Sequence, residues 1–164
     1  MAVSVTYAST VTVAETLPGA IPSALAAKKI VTHDVFNTSL TLNAASTPPA
    51  STMAAFTQAL SGNTATIDLT TLVGTNGSVV NGTGLKVQLL KAKATATNAN
   101  PITISVGAAN GYDLSGAAFS VTLSAGQEVT LYGNDASPDI AAGDKEIDLL
   151  GTGAQTIDIM IVMG

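Results

Sequence analysis

The sequence contains no cysteine and no tryptophan. Without cysteine, the chain has no means of forming a disulfide, a thiolate metal site or a cysteine nucleophile. Carbohydrate-binding sites usually contain aromatic platforms, and only three tyrosines and three phenylalanines are present to supply them. Cysteine chemistry is therefore excluded, and a lectin-like role has little support.

Charge is also scarce. Charged residues make up 10% of the chain, whereas soluble domains usually carry about a quarter. Threonine, serine, asparagine, alanine and glycine must therefore cover the surface. The mean hydropathy is +0.42, and a monomer with so few charges is poorly protected against association. The composition favours an oligomer or lattice component whose surface is largely covered by neighbouring subunits.

The few charges that are present sum to −5, and no arginine is among them. Binding to nucleic acid needs a basic stripe that releases counterions, and usually arginine or aromatic side chains that contact the bases. The local basic group comprises Lys86, Lys91 and Lys93, which we interpret as a solvated strand end. We therefore expect no direct nucleic-acid binding.

The first residues, from Met1 to Thr6, lack the charged segment and apolar core of a secretory signal. No apolar run approaches the roughly 20 residues that span a bilayer. We therefore expect a protein that is made in a cytoplasm and has no membrane anchor.

Apolar and polar residues alternate with a period of two through most of the chain, which is typical of β-strands. Residues 30–42 are predicted as one long strand with Phe36 on its apolar side, and residues 23–27 as one short helical turn. The spacing in residues 53–60 fits a helix or a strand. The other predicted extended segments are 3–13, 65–69, 85–94, 102–106, 119–123, 129–132, 147–150 and 157–163.

Short strands separated by Gly, Asn and Pro turns predict an all-β, single-domain antiparallel β-sandwich that is jelly-roll-like. The chain shows no repeat of fixed period and no composition shift that would mark a second domain. We predict that residues 1–28 form an extended N-terminal arm and that residues 29–164 form the sandwich.

The arm and the last strand carry the candidate interface residues. Apolar residues of one parity line the arm, and the last strand has apolar residues on both faces. A strand of that kind lies in the centre of a core or is covered by another subunit. The candidates are Val3, Val5, Tyr7, Val11, Val13, Met160 and Val162.

Motifs for catalysis or cofactor binding are weak. His33 is the only histidine, and adjacent Asp34 points to the opposite face if both lie on a strand. No Gly-x-Ser-x-Gly elbow supports a serine triad, and no Gly-Lys-Ser/Thr follows the Gly-rich segments. We predict a protein that is not an enzyme and that has no cofactor.

Two minor alternatives concern ligands. The acidic loop 133–146 offers Asp135, Asp139 and Asp144 as calcium ligands, although their spacing differs from the EF-hand pattern. Solvated turn residues are the simpler interpretation. The candidate sugar-stacking residues are Tyr7, Tyr112 and Tyr132.

The second half of the chain, from Leu85 to Gly164, resembles small virion proteins of tailed bacteriophages in pattern and composition. The resemblance rests on three segments: the strand 85–90 leading into Asn-Pro-Ile-Thr-Ile, the turn 123–128, and the apolar terminal strand 157–162. It implies a jelly-roll-like protein on the outside of a capsid, typically a trimer that clamps major capsid subunits.

This resemblance predicts a capsid decoration (cement) protein whose partners are its own copies and the major capsid protein, on the virion surface. The arm would add a strand to one of these partners. The alternative is a phage tail or cell-surface adhesin that binds its receptor with the Gly- and Asn-rich loops 73–84 and 107–116.

Overall fold

The computed structural model describes residues 3–16, 30–35 and 37–164, and its regular structure there is β-strand apart from one 3-10 turn at Leu114–Gly116. The strands are β1 (Ser4–Ser9), β2 (Val13–Thr16), β3 (Ile30–His33), β4 (Thr38–Asn43), β5 (Thr52–Ala59), β6 (Thr64–Asp68), β7 (Leu72–Val73), β8 (Val79–Val80), β9 (Val87–Ala94), β10 (Ile102–Val106), β11 (Ser120–Leu123), β12 (Glu128–Tyr132), β13 (Glu146–Leu150) and β14 (Thr156–Met163). The all-β prediction is confirmed. The ambiguous segment 53–60 is the strand β5, and the predicted helical turn at 23–27 lies outside the described residues.

Eight strands form two four-stranded antiparallel sheets. Sheet 1 has the order β12-β9-β14-β5, and sheet 2 has the order β11-β10-β13-β6. Side chains from both sheets enter one buried core, so the predicted β-sandwich is confirmed. The largest wholly buried members of this core include Leu90, Ile157 and Ile161 of sheet 1 and Ile102, Ile104, Ile147 and Leu149 of sheet 2.

The central strand β14 shows why sheet 1 needs cover on both faces. Ile157, Ile159 and Ile161 alternate into the core between the sheets, as expected for a strand. Val162 points to the outer face, yet it is fully buried. It lies in a second apolar cluster that brings in residues from the N-terminal part of the chain.

The N-terminal strands form an arm that is separate from the two sandwich sheets. β1 pairs with β4, with Val5 opposite Leu42, and β2 pairs with β3. We call the β1–β4 pair the arm base and the β2–β3 pair the distal ribbon. Residues 17–29, and Phe36, lie outside the described residues.

This pairing differs from two sequence predictions. The predicted long strand over residues 30–42 is interrupted between His33 and Thr38, where Asn37 donates its backbone N–H to the carbonyl of Asp34 at 3.0 Å. The predicted domain boundary after residue 28 also divides paired strands, because β3 and β4 pair with β2 and β1 and not with either sandwich sheet. Alternation along one strand does not reveal its partner, which explains both differences.

Tyr112 fixes the loop between β10 and β11 to the core. Its side chain is fully buried, and its hydroxyl donates to the carbonyl of Pro138 at 2.8 Å and accepts from the backbone N–H of Val87 at 2.9 Å. Burial raises the pKa of this hydroxyl. One side chain therefore joins two loops to the first residue of β9.

We expect Tyr112→Phe to lower the free energy of unfolding by about 1–3 kcal/mol, because it leaves a buried N–H without its partner. Tyr132→Phe is the matched control, since among the described residues its hydroxyl bonds only to the exposed Asn134 side chain, at 3.1 Å. Chemical denaturation of both variants measures the difference. Equal stability of the two would contradict the role assigned to Tyr112.

A second anchor joins the end of β6 to the start of β13. Lys145 donates to the carboxylate of Asp68, which also accepts from the Thr70 backbone and hydroxyl. Burial alone raises the pKa of Asp68, but the hydrogen bonds from Lys145 and Thr70 lower it by more, to below its ordinary value of 3.8. The same bond raises the pKa of Lys145.

This lowered pKa predicts an acid-dependent part of stability. A carboxyl whose pKa is lower in the folded than in the unfolded chain stabilises the fold at any pH above its pKa in the unfolded chain, which is near 3.8 for Asp68. This stabilisation is lost as the pH falls through the pKa of the same group in the folded chain. Asp68→Asn should therefore be less stable at pH 7 and should lose less stability on acidification. Thermal unfolding between pH 7 and pH 2.5 tests this, and an unchanged pH slope would refute it.

Candidate functional site

The outer face of sheet 1 carries three rows of side chains that cross its strands. Residues directly opposite each other in paired strands point to the same face, so the register defines the rows. Row 1 is Tyr132, Leu89, Val162 and Met53; row 2 is Thr130, Lys91, Met160 and Ala55; row 3 is Glu128, Lys93, Asp158 and Thr57.

The arm base covers row 1. Its inward side chains, Val5, Tyr7, Leu40 and Leu42, pack on that row and form the second apolar cluster. The rings of Tyr7 and Tyr132 are stacked, with their centroids 5.2 Å apart and their planes 18° apart. The arm base is therefore a third layer on one side of the sandwich.

The arm base crosses sheet 1 from edge to edge. Val3 lines a groove with Met53 of the edge strand β5, while Tyr7 stacks on Tyr132 of the opposite edge strand β12. Four extended residues cover about 13 Å, and three interstrand spacings span about 14 Å. The arm therefore reaches the β12 edge near Tyr7.

The distal ribbon is exposed along all of β2 and β3. Val13 is 53% exposed and Ile30 is 60% exposed. The register places Val13 opposite His33 and Glu15 opposite Val31, so these four side chains share one face of the ribbon. On that face, His33 Nε2 lies 3.2 Å from a carboxylate oxygen of Glu15.

Rows 2 and 3 form the open half of the outer face of sheet 1. A groove of about 390 Å³ runs over it, lined by Met160 and Ala55 with Lys91, Lys93, Asp158 and Thr57 among its other residues. Met160 is 37% exposed, although Val162, two residues along the same face, is fully buried. The same sheet face is thus apolar and covered at one end, and mixed and exposed at the other.

The open half carries two lysines and two carboxylates, of which Lys91 and Glu128 form an ion pair. Lys91 lies 3.3 Å from Glu128, and the Thr57 hydroxyl donates to Asp158 at 2.6 Å. Within residues 3–16, 30–35 and 37–164, Lys86 and Lys145 also form ion pairs, whereas Lys93 forms none. Lys93 is therefore the described lysine whose charge is not compensated by a close carboxylate.

The predicted interface residues fall into two groups. Val5, Tyr7 and Val162 pack within the chain itself, because the arm base covers row 1. Val11, Val13 and Met160 remain exposed, and Val3 is half-buried beside Met53.

Two further apolar residues are exposed in the structure, although the sequence analysis does not name them as interface candidates. Val31 and Val35 are exposed by 37% and 82%. Both lie in the predicted long strand 30–42, but with a parity opposite to that of Phe36, so the strand's apolar side does not include them. The pairing of β3 with β2, and not with a sandwich sheet, explains their exposure.

The structure does not bring the calcium candidates together. Asp135 accepts a hydrogen bond from the Gln88 amide at 3.2 Å and pairs with Lys86 at 3.5 Å, while Asp144 closes a turn with Ala141. In the described part of the chain, no three His, Asp or Glu side chains lie close enough to hold a metal ion. The acidic loop, with Asp139, is therefore held by hydrogen bonds within the chain, and it offers no cluster of carboxylates.

The tyrosines offer no open stacking platform. Tyr112 is fully buried, and Tyr7 and Tyr132 stack on each other. His33 contacts Glu15 and not the neighbouring Asp34, as the alternation of a strand predicts. This exposed pair lies on the distal ribbon, away from the grooves described above.

Comparison with protein-family models, with curated proteins and with solved structures gives no match to this chain. Among the described residues, no helix has the length and apolar character needed to cross a membrane. The candidate functional surface therefore rests on the geometry of the arm and of sheet 1.

We expect Tyr7→Ala to loosen the arm base while the sandwich stays folded. An aromatic pair is worth about 0.5–1.5 kcal/mol beyond its burial, so amides of β1 and β4 should exchange roughly two- to tenfold faster. Thr6→Ala is the control, because Thr6 lies on the opposite, exposed face of β1. Hydrogen–deuterium exchange compares the two, and equal protection of β1 in both variants would contradict the stacking role.

Proposed function

We propose that this protein is a non-enzymatic virion structural protein that decorates and stabilises a bacteriophage capsid, through contacts with the major capsid protein and with its own copies. One observation supports the proposal: the chain has a two-stranded ribbon with exposed apolar side chains that pairs with neither sandwich sheet. Val13 and Ile30 are more than half exposed there. Exposed apolar side chains in such a position suit a neighbouring subunit.

The scarcity of charge supports the same conclusion. With 10% charged residues, the protein has little to keep its copies apart, and a densely packed lattice is a setting in which that is no disadvantage. Many weak contacts of identical subunits with a repeating shell add up to strong attachment. We place the protein on the capsid surface, as a homotrimer.

The strand order supports the jelly-roll part of the proposal. If the eight sandwich strands are numbered in chain order from β5 to β14, omitting β7 and β8, sheet 1 runs 6-3-8-1 and sheet 2 runs 5-4-7-2. Strands that are adjacent in sequence mostly alternate between the sheets, as in two interleaved Greek keys. That is the connectivity expected of a jelly roll.

A tail or cell-surface adhesin is the second candidate. A groove of about 520 Å³ lies between Met53 and the β7–β8 hairpin, whose Val79 is 69% exposed. This groove favours a receptor contact at loop 73–84. The other loop of that proposal, 107–116, is a poorer contact surface because Tyr112 and Leu114 are buried.

Copy number separates these candidates. We expect quantitative mass spectrometry of particles purified from the source to give about one copy per major capsid subunit, or a simple fraction of that. A handful of copies per particle would support the adhesin instead. No copies in the particles would overturn the virion proposal.

Deleting the distal ribbon tests the observation on which the proposal rests. Ser9 and Thr38 are directly opposite each other at the end of the arm base, so residues 10–37 can be replaced by Asn-Gly, which favours a two-residue hairpin turn. We expect this variant to keep the thermal stability of the sandwich and to lose most of its particle occupancy. Wild-type occupancy in a folded variant would contradict the role of the ribbon.

A further inference from the structure

We propose that the distal ribbon of one copy docks on the open half of sheet 1 of a second copy. In this contact Val13 and Val31 face Met160, and Glu15 lies beside Lys93. The proposal deepens the self-association part of the proposed function and is independent of the capsid part. It rests on the dimensions, the apolar character and the charge of the two surfaces.

The ribbon and the open half match in size. Each strand of the ribbon has four residues and is about 13 Å long, against a width of about 14 Å for the four strands of sheet 1. Rows 2 and 3 are two residues apart along each strand of sheet 1, so the distance between the rows is about 7 Å. The two strands of the ribbon are about 5 Å apart, which is close to this distance. A second ribbon laid beside the arm base therefore covers the open half.

The chain already shows this type of contact once. The arm base packs on row 1 through Val5 and Tyr7, which lie on one face of a two-stranded ribbon. The distal ribbon presents Val13 and Val31 on one face in the same manner. Within one chain the distal ribbon does not occupy the open half, because β2 and β3 are exposed throughout and none of their residues lines the groove. The docked ribbon therefore comes from a second molecule.

Charge favours this face of the ribbon. Glu128 and Asp158 lie opposite Lys93 in row 3, but Glu128 forms its ion pair with Lys91 and Asp158 accepts a hydrogen bond from Thr57. In the described part of the chain Lys93 has no carboxylate within ion-pair distance, so it can pair with an incoming one. Glu15 supplies one, and its partner within the described chain is the ring of His33.

The contact is heterologous, since the ribbon and the open half are different surfaces of one chain. Such contacts close into rings or continue through a lattice. A ribbon of this size buries less than the roughly 1,200 Å² of a stable interface, so one contact alone is weak. We therefore expect affinity to come from ring closure or from a shell that aligns the copies.

Cross-linking in the cysteine-free chain tests the proposal. Val31→Cys and Met160→Cys variants, one of them carrying a size tag, are mixed and oxidised, and mixed dimers are measured on non-reducing gels. We expect several-fold more mixed dimer than from Val31→Cys with Ser120→Cys, whose cysteine lies on exposed β11 of sheet 2. Equal yields would overturn the proposal, as would a predominance of Val31→Cys homodimers, which would indicate ribbon-to-ribbon pairing.

Exchanging the charges of Lys93 and Glu15 distinguishes a lost contact from a variant that fails to fold. Adding Lys93→Glu to the Met160→Cys variant should lower the mixed-dimer yield, and adding Glu15→Lys to its Val31→Cys partner should restore it. Thermal melting of each variant confirms that the sandwich is folded. A yield that Glu15→Lys fails to restore would overturn the placement of Glu15 beside Lys93. Because only isolated protein is used, a negative result leaves the copy-number test of the proposed function unaffected.

Discussion

The architecture depends on the outward-facing apolar side chains at one end of sheet 1. Val162 and Leu89 point away from the core between the two sheets, and leaving them in water would cost about 1.5–3 kcal/mol each. The arm base removes them from water and turns a two-layer sandwich locally into three layers. Because the row to be covered crosses all four strands, the arm base that covers it must cross them too.

Local features of this fold could be predicted from the sequence. Alternation identified most strands, because a strand with one buried face repeats every two residues. The turn 124–127 was also predictable. Gly126 adopts a φ of +77° there, and Gln127 donates its N–H to the Ser124 carbonyl at 2.9 Å.

Long-range features could not be predicted, because alternation shows which face is apolar but not what covers it. The sequence predicts Val5, Tyr7 and Val162 as interface residues, and the structure packs them against one another within the same chain. The break between β3 and β4 was missed because both halves are apolar on one parity. Tyr112 gave no sign of its burial, since its two hydrogen-bond partners are Val87 and Pro138, which are 25 and 26 residues away.

The position of β14 has a consequence for the order of folding. It is the last strand in chain order, yet it lies between β5 and β9, and its contact between Thr57 and Asp158 joins residues 101 positions apart. Sheet 1 is therefore divided until β14 is in place, and so is the surface on which the arm base packs. Contacts of such high sequence separation slow folding, because loop-closure entropy is lost before the contacts form. The arm base and the distal ribbon, whose pairings are more local, are thus expected to form before the surface on which the arm base packs.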